Sequence, residues 1–263
     1  MAVTYSTSVN RFGHAVWAIT LREFRNRYGT RRLGLFWAFV EPTAYVFVFS
    51  VLMSALRSTT SPLGIHIAPF IAMGIMSYMM FNAVEGFVRG ALRSNKSLLS
   101  FPRIKPIDIY VGRLIMEVAT LVVVFLCMFS LFVLTGLANA PSEPARLLLP
   151  LALSVVLGFA VGIINSTLIA IFKAWENIYS VASRLNFFTS GIFFIADGMP
   201  TEIQRMLYYQ PLLHISEWVR SAWFGHFESR FLDRFYLIMT VSVALLLALL
   251  LERTFRKNVL NKI

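Results

Sequence analysis

The residues of this chain with chemical capacity are charges set inside or beside strongly apolar runs. An ionisable side chain at membrane depth is costly, so it marks a pathway or a neutralising pair. Arg113 and Glu117 stand four apart, on one helix face, and are expected to neutralise each other. Glu85 and Arg89 repeat that spacing. Glu41 precedes Pro42, whose ring removes a backbone hydrogen bond and is expected to kink its helix. The Glu41 carboxylate has two readings, a contact for cargo or the partner of an arginine in the bundle. Lys173 and Glu176 fall in a short turn, where solvated loop charges are the plain reading.

Reaction chemistry is absent from this inventory. No G-x-x-x-x-G-K-S/T phosphate loop is present, which excludes ATP hydrolysis by that route. No metal-ligand spacing occurs, the four histidines are far apart, and no cofactor is expected on this chain. The single cysteine, Cys127, excludes an internal disulfide and is expected to be a small buried hydrophobe. Asn165-Ser-Thr167 matches a glycosylation site but lies within an apolar run. A membrane-embedded glycosyl- or acyltransferase would need clustered carboxylates or histidines, and the acids here are scattered.

The elements that must position these charges are membrane spans. The 263 residues are 57% hydrophobic, against about 45–50% for a soluble domain. A net charge of +11 in so apolar a chain points to phospholipid headgroups and anionic cargo rather than nucleic acid. A span needs about 20 apolar residues. Six candidates are read, at 35–56, 67–88, 109–137, 147–172, 178–196 and 235–251, the fifth weakened by Arg184 and Asn186. The expected fold is therefore an all-α integral membrane protein. It comprises a cytoplasmic N-terminus (1–34), a six-span domain (35–252) and a basic tail (253–263). With both termini cytoplasmic, eighteen of the 24 Lys and Arg lie on the inner side. No cleavable signal peptide is read before the first span.

Three segments outside the spans carry pattern. In 17–42, Trp17, Leu21, Phe24 and Tyr28 recur at helical spacing, with Arg22, Arg25 and Arg27 off that stripe and Arg31 and Arg32 after it. Such a helix lies in a membrane interface, apolar side chains down and arginines among lipid phosphates. In 89–110, Ser94 or Asn95 can cap a short helix ending before Pro102, and Leu98, Leu99 and Phe101 make an apolar knob between basic residues. That knob suits docking into a partner's groove, with an interfacial helix lying on lipid as the alternative. The outer segment 197–234 is too polar for a span and too apolar for a loop. Its Thr201-x-x-Gln204 fits a capping box, and its many aromatic rings read as an interfacial belt or as re-entrant helices lining an exit. Gly158 and Gly162, four apart, are expected to bring helices close within the bundle.

These segments carry a resemblance. LREFRNRYGTRRLGLFWAFVEP (21–42) resembles the N-terminal lead-in of ABC transporter permeases of the type-2 exporter group, especially those exporting capsular polysaccharide. NKSLLSFPRIKPIDIYVGRLIMEV (95–118) and YYQPLLHISEWVRSAWF (208–224) are similar to later parts of the same group, in order and over nearly the whole chain. The resemblance implies a homodimer in the bacterial inner membrane, joined to two separate ATPase subunits that use ATP and Mg. It further implies a periplasmic polysaccharide co-polymerase, an outer-membrane export channel, and an acidic polysaccharide on a phospholipid with a short Kdo linker as cargo. The interface helix maps to about 12–28. The coupling helix maps to about 94–101, with Ser94, Asn95, Leu98, Leu99 and Phe101, and Glu176 belongs to a second ATPase contact. Arg31, Arg32, Arg89 and Arg93 are candidates to receive the anionic end of the cargo. Trp37, Glu41, Tyr45, Trp218 and Trp223 are candidates along the channel. O-antigen, teichoic acid or a drug as cargo of the same architecture stays open.

Overall fold

The computed structural model describes residues 2–29, 34–56, 59–101, 104–141, 143–225 and 227–262; Arg31 and Arg32 lie outside them. The described chain is helical apart from turns and one isolated bridge between Thr60 and His66. Helix α1 (Ala2–Phe24) runs into a π-helical turn, Arg25–Gly29. Then follow α2 (Gly34–Leu56), α3 (Ile67–Arg89), two single-turn helices α4 (Ala91–Ser94) and α5 (Lys96–Leu99), and α6 (Pro106–Leu134). A 3-10 turn, Pro144–Leu147, leads into α7 (Leu148–Ile171), followed by α8 (Trp175–Thr189), α9 (Thr201–Leu207), α10 (Pro211–Trp223) and α11 (Arg234–Lys262).

Among the described residues, five helical stretches are long and apolar enough to cross a membrane: Phe36–Leu56, Ile67–Arg89, Pro106–Leu134, Pro144–Ile171 and Arg234–Lys257. The expected single span at 178–196 is corrected. Its helix, α8, has 15 residues, about 22 Å at 1.5 Å per residue, short of a hydrocarbon core of about 30 Å. The helix ends at Thr189 with Ser190 as its C-cap, and Gly191 turns the chain with φ +78, a conformation glycine adopts without strain. A Cβ at Gly191 would also stand 2.4 Å from Leu213 Cδ1 on α10. Past the turn, Ile192 and Ile195 are buried without helical structure.

The core sits around α3, 78% of whose most apolar stretch is buried, against 11% for α2. Its closest neighbour is α7, and the two glycines are the reason, as the sequence spacing implies. A Cβ on Gly158 would stand 2.5 Å from the Phe81 carbonyl oxygen, and one on Gly162 2.9 Å from that of Glu85. Helix α10 lies against the opposite end of α3 from α4 and α5. Helix α2 passes through Pro42 without a break in its helical structure. Cys127 is exposed on α6, not buried, because it shares a face with Val123 and Leu131 rather than with the core residues Val124 and Met128.

Candidate functional site

The charges converge at the α4–α5 end of the bundle, and their pairing differs from the spacing rule. Arg113 reaches the N-terminal helix instead of Glu117: its Nε donates to Glu23 Oε1 at 3.2 Å and its Nη1 to the Phe87 carbonyl at 2.7 Å. Glu117 pairs with Arg27 of the π-helical turn. The i,i+4 pair is thus replaced by two ion pairs from α6 to the segment 23–27. Both carboxylates and Arg113 are buried, where a charge must be compensated. Asn95, 1% exposed, completes the lattice. Its Nδ2 donates to Glu23 Oε1 at 2.9 Å, and its Oδ1 accepts from Arg22 Nη1 at 2.9 Å. Arg22 and Arg27 therefore bind protein rather than lipid phosphate. The stripe Trp17, Leu21 and Phe24 is exposed, while Val16, Ile19, Thr20 and Glu23 face α6.

Asn95 stands at the start of α5 but its side chain turns inward and does not cap it. The expected coupling helix is accordingly two single turns divided at Asn95. Leu98 and Leu99 are half-buried against the core, Phe101 is 59% exposed, and the Ser94 hydroxyl donates to the Gly90 carbonyl. Arg93 on α4 and Glu176, in the first turn of α8 rather than in a loop, approach to 3.6 Å; both are well exposed, so the pair contributes little to stability. Glu85 and Arg89 pair at 3.1 Å as their spacing implies. Glu85 also accepts from Asn165, which accepts in turn from the Trp175 indole. Arg89 is thereby held in the bundle, its guanidinium over the Tyr179 ring.

Glu41 lines a cavity of about 310 Å³ with Arg27, Asn82, Phe87 and Glu117. Trp37 and Tyr45 are exposed on α2. Tyr45 stacks on Phe49, which meets Phe193 at 4.8 Å and Phe187 at 5.7 Å, so a run of aromatic rings links α2 to α8. That run, like the role of Glu23, was missed by motif reading. Its only signal was the aromatic pair at 187–188, inside what read as a span.

At the far end, Trp218 and Trp223 are buried within the subunit: Arg234 lies over Trp218, and Trp223 meets Phe129 at 4.8 Å. Arg220 is fully buried, donating to the carbonyls of Ile192 and Phe194 at 2.9 and 3.0 Å, its guanidinium 3.9 Å from the Phe70 ring. Glu217 accepts from the Ala196 N–H at 3.0 Å. The segment after Gly191 is therefore pinned to α10 by charged side chains bonding its backbone. Thr201 starts α9 as expected, but no capping box forms; Gln204 donates to the Met199 carbonyl instead. His214 bridges α9 to α11. Its Nε2 bonds the Tyr208 carbonyl at 2.8 Å, and its Nδ1 accepts from the Asp233 N–H at 3.2 Å. Burial holds its pKa below the ordinary value, and the Tyr208 hydroxyl holds the Asp233 carboxyl low. Among the described residues no group of three metal-ligating side chains forms.

The site is thus a set of ion pairs between helices at one end of the bundle. Residues 14–224 match the family model described as ABC-2 type transporter, and the chain belongs to that family. It is 27% identical to the polysialic acid transport protein KpsM of Escherichia coli, over 93% of this chain and 94% of that protein. It is 25% identical to the capsule polysaccharide export inner-membrane protein BexB of Haemophilus influenzae, over 97% and 96% of the two chains. Its identity to the capsule polysaccharide export inner-membrane protein CtrC of Neisseria meningitidis serogroup A is also 25%, over 92% and 91%.

Proposed function

We propose that this chain is the permease subunit of an ATP-driven exporter that moves lipid-linked acidic capsular polysaccharide across the bacterial inner membrane. Similarity to capsule export proteins along more than nine-tenths of the chain supports the cargo class. Two such subunits form the pathway, driven by two copies of a separate ATPase, and a periplasmic co-polymerase and outer-membrane channel continue it. The exposed apolar faces of α2, at Phe47 and Val51, and of α8, at Val181 and Leu185, offer the area for the partner copy. Helix α8 and the buried stretch after Gly191 complete a sixth crossing, α9 and α10 fold back from the outer side, and both termini are cytoplasmic. The Trp17, Leu21 and Phe24 stripe rests in the inner interface.

The observation that carries this reading is the lattice at Asn95. A permease without a phosphate loop must receive work through a contact, and that contact must be stiff. The apolar knob ending at exposed Phe101 provides the contact. The bonds from Asn95 to Glu23, and from Glu23 to Arg113, tie the knob to α1 and α6. Closure of the ATPase pair then biases a two-state bundle rather than a single loop. Arg31, Arg32 and Arg93 receive the phosphate and sugar carboxylates, Arg89 being engaged by Glu85.

The test is reconstitution with the cognate ATPase. Phe101→Asp changes an exposed ring and leaves Leu98 and Leu99 in place, so it is expected to abolish polymer-lipid movement while the protein still assembles in the membrane. Unchanged transport by Phe101→Asp would remove the docking role. For recruitment, Arg31→Lys and Arg31→Ala are compared in capsule export: full activity of both variants ends the idea, and rescue by Lys alone shows that charge suffices.

A further inference from the structure

A second feature lies away from the charged end. Helices α6 and α7 share little direct contact, and between them runs a groove of about 900 Å³. On α6 it extends from Val118 to Leu134, about 24 Å at 1.5 Å per residue, from the outer end past the middle of a core of about 30 Å. Its lining is apolar except for the Ser130 hydroxyl and one indole, and its lining residues Leu126, Leu134 and Leu148 are 59%, 85% and 69% exposed, so it opens sideways. The indole is Trp223. It is 7% exposed, and its Nε1–H is buried without a hydrogen-bond partner. Such an orphan donor is rare in a folded chain because leaving it unpaired costs free energy. At the outer mouth, Pro144 lines the groove between Glu143 and Arg146, an exposed pair of opposite charges at 2.8 Å.

We infer that this groove holds a structural phospholipid of the outer leaflet, with a zwitterionic phosphate–amine headgroup. An acyl chain fills the slot between α6 and α7, an ester carbonyl accepts from Trp223 Nε1, and Arg146 and Glu143 exchange their mutual contact for the phosphate and the ammonium. Three independent features converge on this ligand: a slot of acyl-chain length open to the bilayer, one buried donor without an acceptor, and a mouth carrying both charge signs. The inference goes beyond the export reading and rests on it only for the orientation of the spans.

Native mass spectrometry of the purified full-length protein with palmitoyl-oleoyl phosphatidylethanolamine tests it. The wild type is expected to retain one such lipid per chain. Ala152→Phe, which fills the slot, is expected to lose it, and Leu247→Phe, on the exposed face of α11, to keep it. Trp223→Phe keeps the packing and removes the donor; its affinity is expected to fall about fivefold, the equivalent of one hydrogen bond of about 1 kcal/mol. Equal retention by wild type, Ala152→Phe and Trp223→Phe overturns the inference, as does retention of dioleoylglycerol as strong as that of the phospholipid. Displacement by purified lipid-linked polysaccharide assigns the groove to the cargo's anchor instead. Disulfide-linked dimers of Leu126→Cys in a Cys127→Ser background assign it to a second copy of the chain.

Discussion

Arg220 shows what a single buried cation does here. It sits on α10 and holds two carbonyls of a segment 26 and 28 residues earlier, with Glu217 as the nearby opposite charge. Removing one member of such an arrangement leaves the other buried and uncompensated. Arg220→Met is therefore expected to destabilise the protein by about 3–5 kcal/mol. Adding Glu217→Gln should restore part of the loss, because glutamine still accepts from the Ala196 N–H while its charge is gone. Thermal unfolding in detergent of both single variants and the double variant measures this. Equal unfolding temperatures for wild type and Arg220→Met would show that the cation pins nothing. The sequence made Arg220 visible only as a positive charge in an aromatic-rich segment. Its partners are backbone carbonyls, which leave no mark in a sequence. Glu85 and Arg89 were legible because both members lie on one helix. Arg113 and Glu117 were not, because helical spacing only permits a pair and buried neighbours from another helix won both.

At the scale of elements, two joints carry the architecture. The first is the close crossing of α3 and α7, where the obstacle to a larger residue is the backbone of Phe81 and cannot move aside. Gly158→Ala is expected to cost about 1–3 kcal/mol by overpacking, read as a lower unfolding temperature with the helical content unchanged. The second joint is His214 between α9 and α11. Its folded pKa is depressed by burial, so the neutral ring belongs to the folded state and its stabilisation is complete above the ordinary value of 6.5. As pH falls from 6.5 through the folded pKa, that contribution is lost, and protonation of Nδ1 also breaks its bond from the Asp233 N–H. Asp233, with its own pKa depressed, acts in the same direction at lower pH. The unfolding temperature is expected to be level above the ordinary value of 6.5 and to decline below it, with His214→Gln flattening the onset of that decline. An identical decline in His214→Gln would assign the acid sensitivity elsewhere. Long spans were legible from apolar length alone. The 15-residue α8 was not, because the apolar residues after Gly191 prolong its pattern while the backbone has already left the helix.

For the whole molecule, the lattice at the α4–α5 end joins residues far apart in the chain. Glu23 and Arg113 are 90 residues apart, so α1 meets this partner only once the first turns of α6 have been made. At about 5–20 residues per second, α1 waits roughly 5–20 s on the ribosome with Glu23 unpaired. A carboxylate facing the core cannot be buried alone for that time, so α1 must rest on the membrane surface, and the exposed Trp17, Leu21 and Phe24 give it a surface to rest on. Nascent chains stalled before Arg113 should leave a cysteine at position 23 open to a water-soluble maleimide, and chains stalled well beyond α6 should protect it. Protection at both lengths would mean that α1 docks without α6. The order of synthesis thus leaves α1 unlocked until α6 has begun to emerge, and a ribosome pausing before α6 would hold this end of the subunit open.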